Sequence, residues 1–306
     1  MAGLRSRTMT ESPSSTLRLA WDRQSVWSQI AGQLKSTIKS ARTVVLGLSI
    51  AGATLAALAV SVGVDTTPGD VLSIVSAASM LSVPVVRSRA STKAIGDWTK
   101  ARAVSEALKS EVYLYLTRTG DYARVDRDDA LVESLGAIEQ EASDLLRYGL
   151  RITPADRDPP AVHDLDSYVA ERVTDQIERY YRPQAAKQER RVGQVRTGEV
   201  VLALTAAILA AVAGVTGADG VGAWVAVVTT VTGAVTSHAA AERYEFLLVE
   251  YLKTASELER LGRRVGAARN LSDEEFVRAC ERLISLQNEG WMAKLTKADG
   301  AGAGVA

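Results

Sequence analysis

The stretch TVVLGLSIAGATLAALAVSVGV, Thr43 to Val64, runs 22 residues without a charged side chain, and its reading decides the fold. A helix rises about 1.5 Å per residue, so about 20 residues cross the roughly 30 Å of hydrocarbon in a bilayer. Charge disappears three more times: over Val71–Val86 for 16 residues, Val200–Ala218 for 19, and Val221–Ala241 for 21, where only His238 titrates. Three of the four segments meet the spanning length. The second is short, and Arg87 extends it by reaching toward the headgroups. The intervening turns, Asp65–Asp70 with Pro68-Gly69 and then essentially Asp219-Gly220, are short enough to force antiparallel neighbours. The chain therefore reads as an all-α membrane protein with two transmembrane helical hairpins, four spans in all.

Flanking charge supports insertion over burial in a soluble bundle. Lys35, Lys39 and Arg42 precede the first span; Arg87, Arg89 and Lys93 follow the second; Lys187, Arg190, Arg191 and Arg196 precede the third. The turns hold acids and no Lys or Arg. This is the positive-inside pattern, which predicts outward-facing turns and both termini cytosolic. The end of the fourth span is mixed, with Arg243 followed by Glu245 and Glu250.

The balance of 36 basic and 36 acidic residues gives no reason to expect nucleic acid as a partner, which needs a basic excess or stripe. Two Phe in 306 residues is few for a large soluble core. The single cysteine, Cys280, excludes an intrachain disulfide and sits at helical spacing with Phe276, Leu283 and Ile284 as a small core residue. His163 and His238 lie far apart with no metal-ligand spacing around them, so no metal or cofactor is expected.

Within the spans, small residues recur every four positions at Ala203, Ala207 and Ala211, and at Ala206, Ala210 and Gly214, faces that let helices approach closely in lipid. Hydroxyls fall in stripes: Ser73, Ser76 and Ser79 on the second span, Thr229, Thr232 and Thr236 on the fourth. Two readings stay open, pore lining or helix packing and back-bonding to the helix itself. Pro84, inside the second span, removes a backbone donor and is the candidate hinge. His238 sits near the expected cytosolic end.

Outside the spans, long amphipathic, coiled-coil-like helices are expected. One runs from about Ser88 to Thr117 and is broken by Gly120 and Asp126–Asp129; a second stripe follows at Leu131, Leu135, Ile138, Ala142 and Leu145. Leu248, Leu252, Ala255, Leu258 and Val265 form a third stripe, and Asn270 to Glu275 caps a last helix with Phe276, Cys280, Leu283, Ile284 and Gln287 on one face. Trp27 lies 16 residues before Thr43, as Tyr181 lies 16 before Thr197, and Glu106-Ala107-Leu108-Lys109 echoes Glu250-Tyr251-Leu252-Lys253, which suggests an internal duplication. The expected order is a disordered tail over 1–16, a first two-transmembrane unit over 17–150, a Pro- and Asp-rich linker over 151–166, a second unit over 167–297 and a tail over 298–306.

There is no phosphate loop, no G-x-S-x-G elbow and no H-E-x-x-H. Glu139 and Glu141 at i, i+2 point to different helix faces, and Glu106 and Glu111 look like solvated helix charges. No nucleophile or general base can be named, and the chain reads as non-enzymatic.

Trp21-Asp22-Arg23-Gln24-Ser25-Val26-Trp27-Ser28, with Lys35, Ile38 and Arg42, resembles the opening of the bacterial DUF4231 family of unknown function. Asp97-Trp98, Glu106 through Tyr115 and Thr119-Gly120-Asp121-Tyr122 carry the same resemblance. From Tyr180-Tyr181 through the second hairpin to Trp291 the chain is similar to SLATT domains, two-transmembrane effectors associated with nucleotide-sensing modules of bacterial conflict systems. The resemblance implies an antiviral effector that forms a homo-oligomeric pore and acts through a nucleotide-linked trigger. No sensor domain is present, so a nucleotide-signal-sensing protein partner is implied. The alternative functions are a non-conducting scaffold that recruits a partner through its cytosolic helices, and a soluble assembly with the hairpins as core.

Overall fold

The computed structural model describes residues 14–217, 219–268 and 272–285. Most of those residues are helical, and none of them is in a strand. In chain order they form α1 (Ser15–Val62), α2 (Thr67–Arg87), α3 (Thr92–Leu116) and α4 (Arg127–Gln140). Then follow α5 (Leu165–Thr216), α6 (Asp219–Glu242), α7 (Tyr244–Ala268) and α8 over residues 273–285. Four of these are long and apolar enough to cross a membrane. The order long helix, span, helix, short helix occurs twice. The two expected tails lie outside the described residues except for residues 14–16, and so do Asn270, Leu271, Gln287 and the side chain of Val265.

The amphipathic segments before each hairpin are continuous with the first span, as the 48 residues of α1 and the 52 of α5 show. The short second span is also longer than its uncharged stretch. Thr66 caps α2 by accepting from the Gly69 N–H at 3.2 Å, and Pro68 takes an early helical position whose N–H would be orphaned anyway. That adds a turn, and 21 residues rise about 31 Å, enough to cross. The helix runs on through Pro84, the candidate hinge, to Arg87, and the backbone is extended at Ser91.

The chain divides into two compact units. The first gathers the described residues of Met1–Ala31, Lys100–Thr174 and Gly262–Leu286; the second gathers those of Gly32–Thr99 and Asp175–Leu261. In the first, Leu108, Val112, Leu131, Leu135, Ala142, Leu145, Phe276 and Ile284 are at most 1% exposed, so the α4 stripe and the α8 face fall inside as expected. Ser272 and Glu275 close a reciprocal capping box at the start of α8. Residues 151–163 have no regular structure but lie along α1: Ser25 accepts from the Ala155 N–H at 2.9 Å, and the Arg157 guanidinium covers the Trp21 ring at 4.1 Å.

In the second unit the two hairpins meet through Ala53, Ala57 and Val227, with Trp224 and Val231 against them. On α7 the buried positions are Tyr251, Thr254, Ala255 and Leu258, whereas Leu252, expected in that stripe, is 52% exposed. Tyr251 sets the face, because its ring lies 5.9 Å from Tyr180 and 6.2 Å from Tyr181.

The first hairpin turn depends on close backbone approach. Gly63 takes φ +102° and its carbonyl accepts from both the N–H and the hydroxyl of Thr66. A Cβ on Gly69 would collide with that carbonyl. Gly69→Ala is therefore expected to lower stability by about 1–3 kcal/mol, read as a shift in urea-induced loss of helical circular dichroism in detergent, whereas Gly47→Ala, with open space around it, leaves the midpoint unchanged.

Candidate functional site

The most apolar 18-residue window of each span is 22%, 11%, 0% and 11% buried, in chain order. Ile74, Leu81, Val85, Leu204, Ile208 and Val215 are each at least 60% exposed. A belt of that kind is stable only against lipid or further protein.

The hydroxyls on these helices divide by partner. Ser76 is buried and donates across the first hairpin to the Gly52 carbonyl at 2.8 Å, where Met80 fills the space a Cβ on Gly52 would need. Thr236 donates to Glu199 on α5 at 2.9 Å. Ser79, Thr229 and Thr232 each return their proton to the carbonyl four residues back, at 2.8 to 2.9 Å. Ser73 is exposed on α2. The stripes are thus not single-purpose: Ser76 and Thr236 tie helices together, whereas Ser79, Thr229 and Thr232 serve their own backbone. Of the small-residue faces, Ala203, Ala207 and Ala211 are exposed along their whole length, as are Ala210 and Gly214 of the other.

The first unit holds a buried charge centre that sequence reasoning missed. Arg172 is 1% exposed, and its Nε and Nη2 donate to the two oxygens of Glu281 at 2.9 and 2.8 Å. Tyr168 donates to the same carboxylate at 2.9 Å, and the Tyr113 ring lies 4.6 Å beneath the guanidinium. Residues 169–174 and 176–181 of α5 are π-helical, and that brings these groups to one face. An α-helix turns about 100° per residue, which would put Ile177 opposite Tyr168. With about 4.4 residues per π turn, Tyr168, Arg172, Ile177 and Tyr181 align, and all four are buried. A 3.6-residue reading breaks this stripe; the signal that would have found it is a spacing of four, five and four through an arginine.

Glu106 and Glu111 are not the solvated charges expected. Glu106 is 7% exposed and pairs with Arg102 at 2.8 Å. Burial pushes its carboxyl up, but Arg102, Lys109 and Arg172 outweigh that and hold it below the ordinary value. Glu111 accepts from the Tyr122 hydroxyl, and burial raises its carboxyl. Burial, then the nearby Arg172, brings Lys109 down to about 8. Glu139 is also engaged, accepting from Arg23 and from the Trp27 indole at 3.0 Å each. Cys280 is buried as expected, and its thiol is pushed up to about 12.

Glu281→Leu leaves Arg172 charged and unmatched in the interior, and is expected to cost about 3–5 kcal/mol in urea unfolding. The double variant Arg172→Met, Glu281→Leu should recover most of that loss, which a double-mutant cycle measures. Lys109 gives a pH signature. Its folded value of about 8 lies below the ordinary 10.5, so across that window the unfolded chain holds a proton the folded chain has released. Its contribution to stability therefore rises with pH between those values, and the difference between wild type and Lys109→Met should show that rise.

No curated protein and no solved structure matches the chain. Two family models do, and they fall on the segments whose residues carry the resemblances. Residues 25–130 match the protein of unknown function family DUF4231, and residues 168–291, from Tyr168 through the second hairpin, match SMODS and SLOG-associating 2TM effector domain 1.

Proposed function

We propose that this chain is a bacterial membrane effector that assembles with copies of itself and opens an ion path between their spans. The coarse part, a two-transmembrane effector domain, is what residues 168–291 match. The observation that carries the rest is the face of Ala203, Ala207 and Ala211 on α5, which the chain itself leaves exposed. Small residues at four-residue spacing are the surface by which helices meet closely in lipid, and a second copy supplies a matching one. Lys and Arg flanking the spans, with only acids in the first turn, support a topology with both termini cytosolic in the inner membrane. The chain acts without catalysis in this reading, and its trigger arrives from a nucleotide-signal-sensing partner protein.

One observation favours a non-conducting scaffold as the second reading. Ser79, Thr229 and Thr232 bond their own helices, so they offer a pore only the remaining acceptor capacity of their hydroxyls.

Liposome reconstitution separates the two. Wild-type chain should release an entrapped dye, and the Thr229→Val, Thr232→Val, Thr236→Val variant should slow release by about tenfold. Ala207→Leu should abolish release and shift the protein to smaller species in mass photometry. Intact vesicles with an oligomeric wild type, under every trigger tried, leave the scaffold as the function.

A further inference from the structure

Where the first span begins, the second unit contains a cavity of about 140 Å³ lined by six cations, Lys35, Lys39, Arg42, Lys187, Arg191 and Arg243. Its lining has one carboxylate, Glu242, and Arg42 holds it at 3.3 Å with both side chains largely buried. The lining is strongly basic, with six cations to one carboxylate. Gln188 lines the same cavity, is 5% exposed, and its buried side-chain oxygen accepts no hydrogen bond. Such an acceptor calls for a donor.

A second cavity of about 740 Å³ shares the lining residues Arg42, Ala241 and Arg243 with the first and so adjoins it. Its wall is largely apolar, with Val45, Leu46, Met80, Gly233 and Ala234. That volume lies within the range of about 300–1,000 Å³ found for ligand sites. Side by side, the two cavities form a space that is basic and hydrogen-bonding at Lys39, Lys187, Gln188 and Arg191 and apolar along Val45, Leu46 and Met80, with Arg42 and Arg243 on the boundary.

We propose that this space holds an anionic phospholipid with a hydroxylated headgroup. Its phosphate sits among Lys39, Lys187 and Arg191, a headgroup hydroxyl donates to Gln188, and an acyl chain lies along Val45, Leu46 and Met80. Basic pockets at the ends of membrane helices select such headgroups. A free nucleotide or inorganic phosphate satisfies the basic end and leaves the apolar end empty. The site does not depend on whether the spans conduct.

The test is native mass spectrometry of the full chain in mild detergent, offered phosphatidylglycerol or phosphatidylcholine with identical chains. Wild type should retain phosphatidylglycerol about tenfold more than phosphatidylcholine, and Lys39→Gln, Lys187→Gln should erase that preference. Both lysines are exposed on their helices; if the pair does not fold, each single change should lower the preference. Gly233→Leu, which projects into open space, should weaken retention of both lipids. Millimolar phosphate or ATP should not displace the bound lipid. Equal retention of the two lipids by wild type, an unchanged preference in the lysine variants, or displacement by phosphate or ATP would each overturn the proposal.

Discussion

Hydrocarbon offers no hydrogen-bond partner, and that constraint governs the second unit. A span as open to its surroundings as the third must satisfy every backbone group internally, so it can only be helix. Most of the striped hydroxyls follow the same rule: Ser79, Thr229 and Thr232 return their proton to a carbonyl one turn back, and Ser76 and Thr236 reach a neighbouring helix. Ser76 is more than a polar decoration, because its bond falls where Gly52 and Met80 allow α1 and α2 to touch.

The first unit works under the opposite condition, with charge drawn inside. Arg172 and Glu281 satisfy one another through two parallel bonds, Tyr168 adds a third, and Tyr113 gives the guanidinium a π face. Desolvating both charges offsets much of what the pair gains, so losing one partner costs far more than the intact pair contributes. Tyr168 and Arg172, four residues apart, reach the same carboxylate as any i, i+4 pair would, and the π-helical backbone beyond them carries the buried stripe on to Ile177.

The spans were legible in the sequence because lipid imposes a length and forbids charge, and both are visible in Thr43–Val64 without any knowledge of packing. The α4 stripe and the α8 cap were legible for a similar reason: a 3.6-residue period and a Ser-x-x-Glu box are local signals. Leu252 went astray because a tyrosine cluster, not aliphatic periodicity, chose the buried face of α7. Glu106, Glu111 and Arg172 went astray for a deeper reason. Burial of charge depends on partners distant in sequence, and nothing in the run around Arg172 announces Glu281, 109 residues away. The basic cavity was half visible, as the Lys and Arg before the first and third spans. Its convergence with Gln188 and Arg243 required the fold.

The first turn has a consequence for how this protein enters a bilayer. Between Val62 and Thr67 only four residues lie outside helix, and Gly63, Thr66 and Gly69 already bond one another. The polar load of the turn is then a pre-folded knot, with Asp65 and Asp70 its only charges. Two spans joined this way can be dehydrated together and inserted as one body, at the cost of desolvating two carboxylates. Translocation of a large hydrated loop, the slow step for widely separated spans, does not arise for this hairpin.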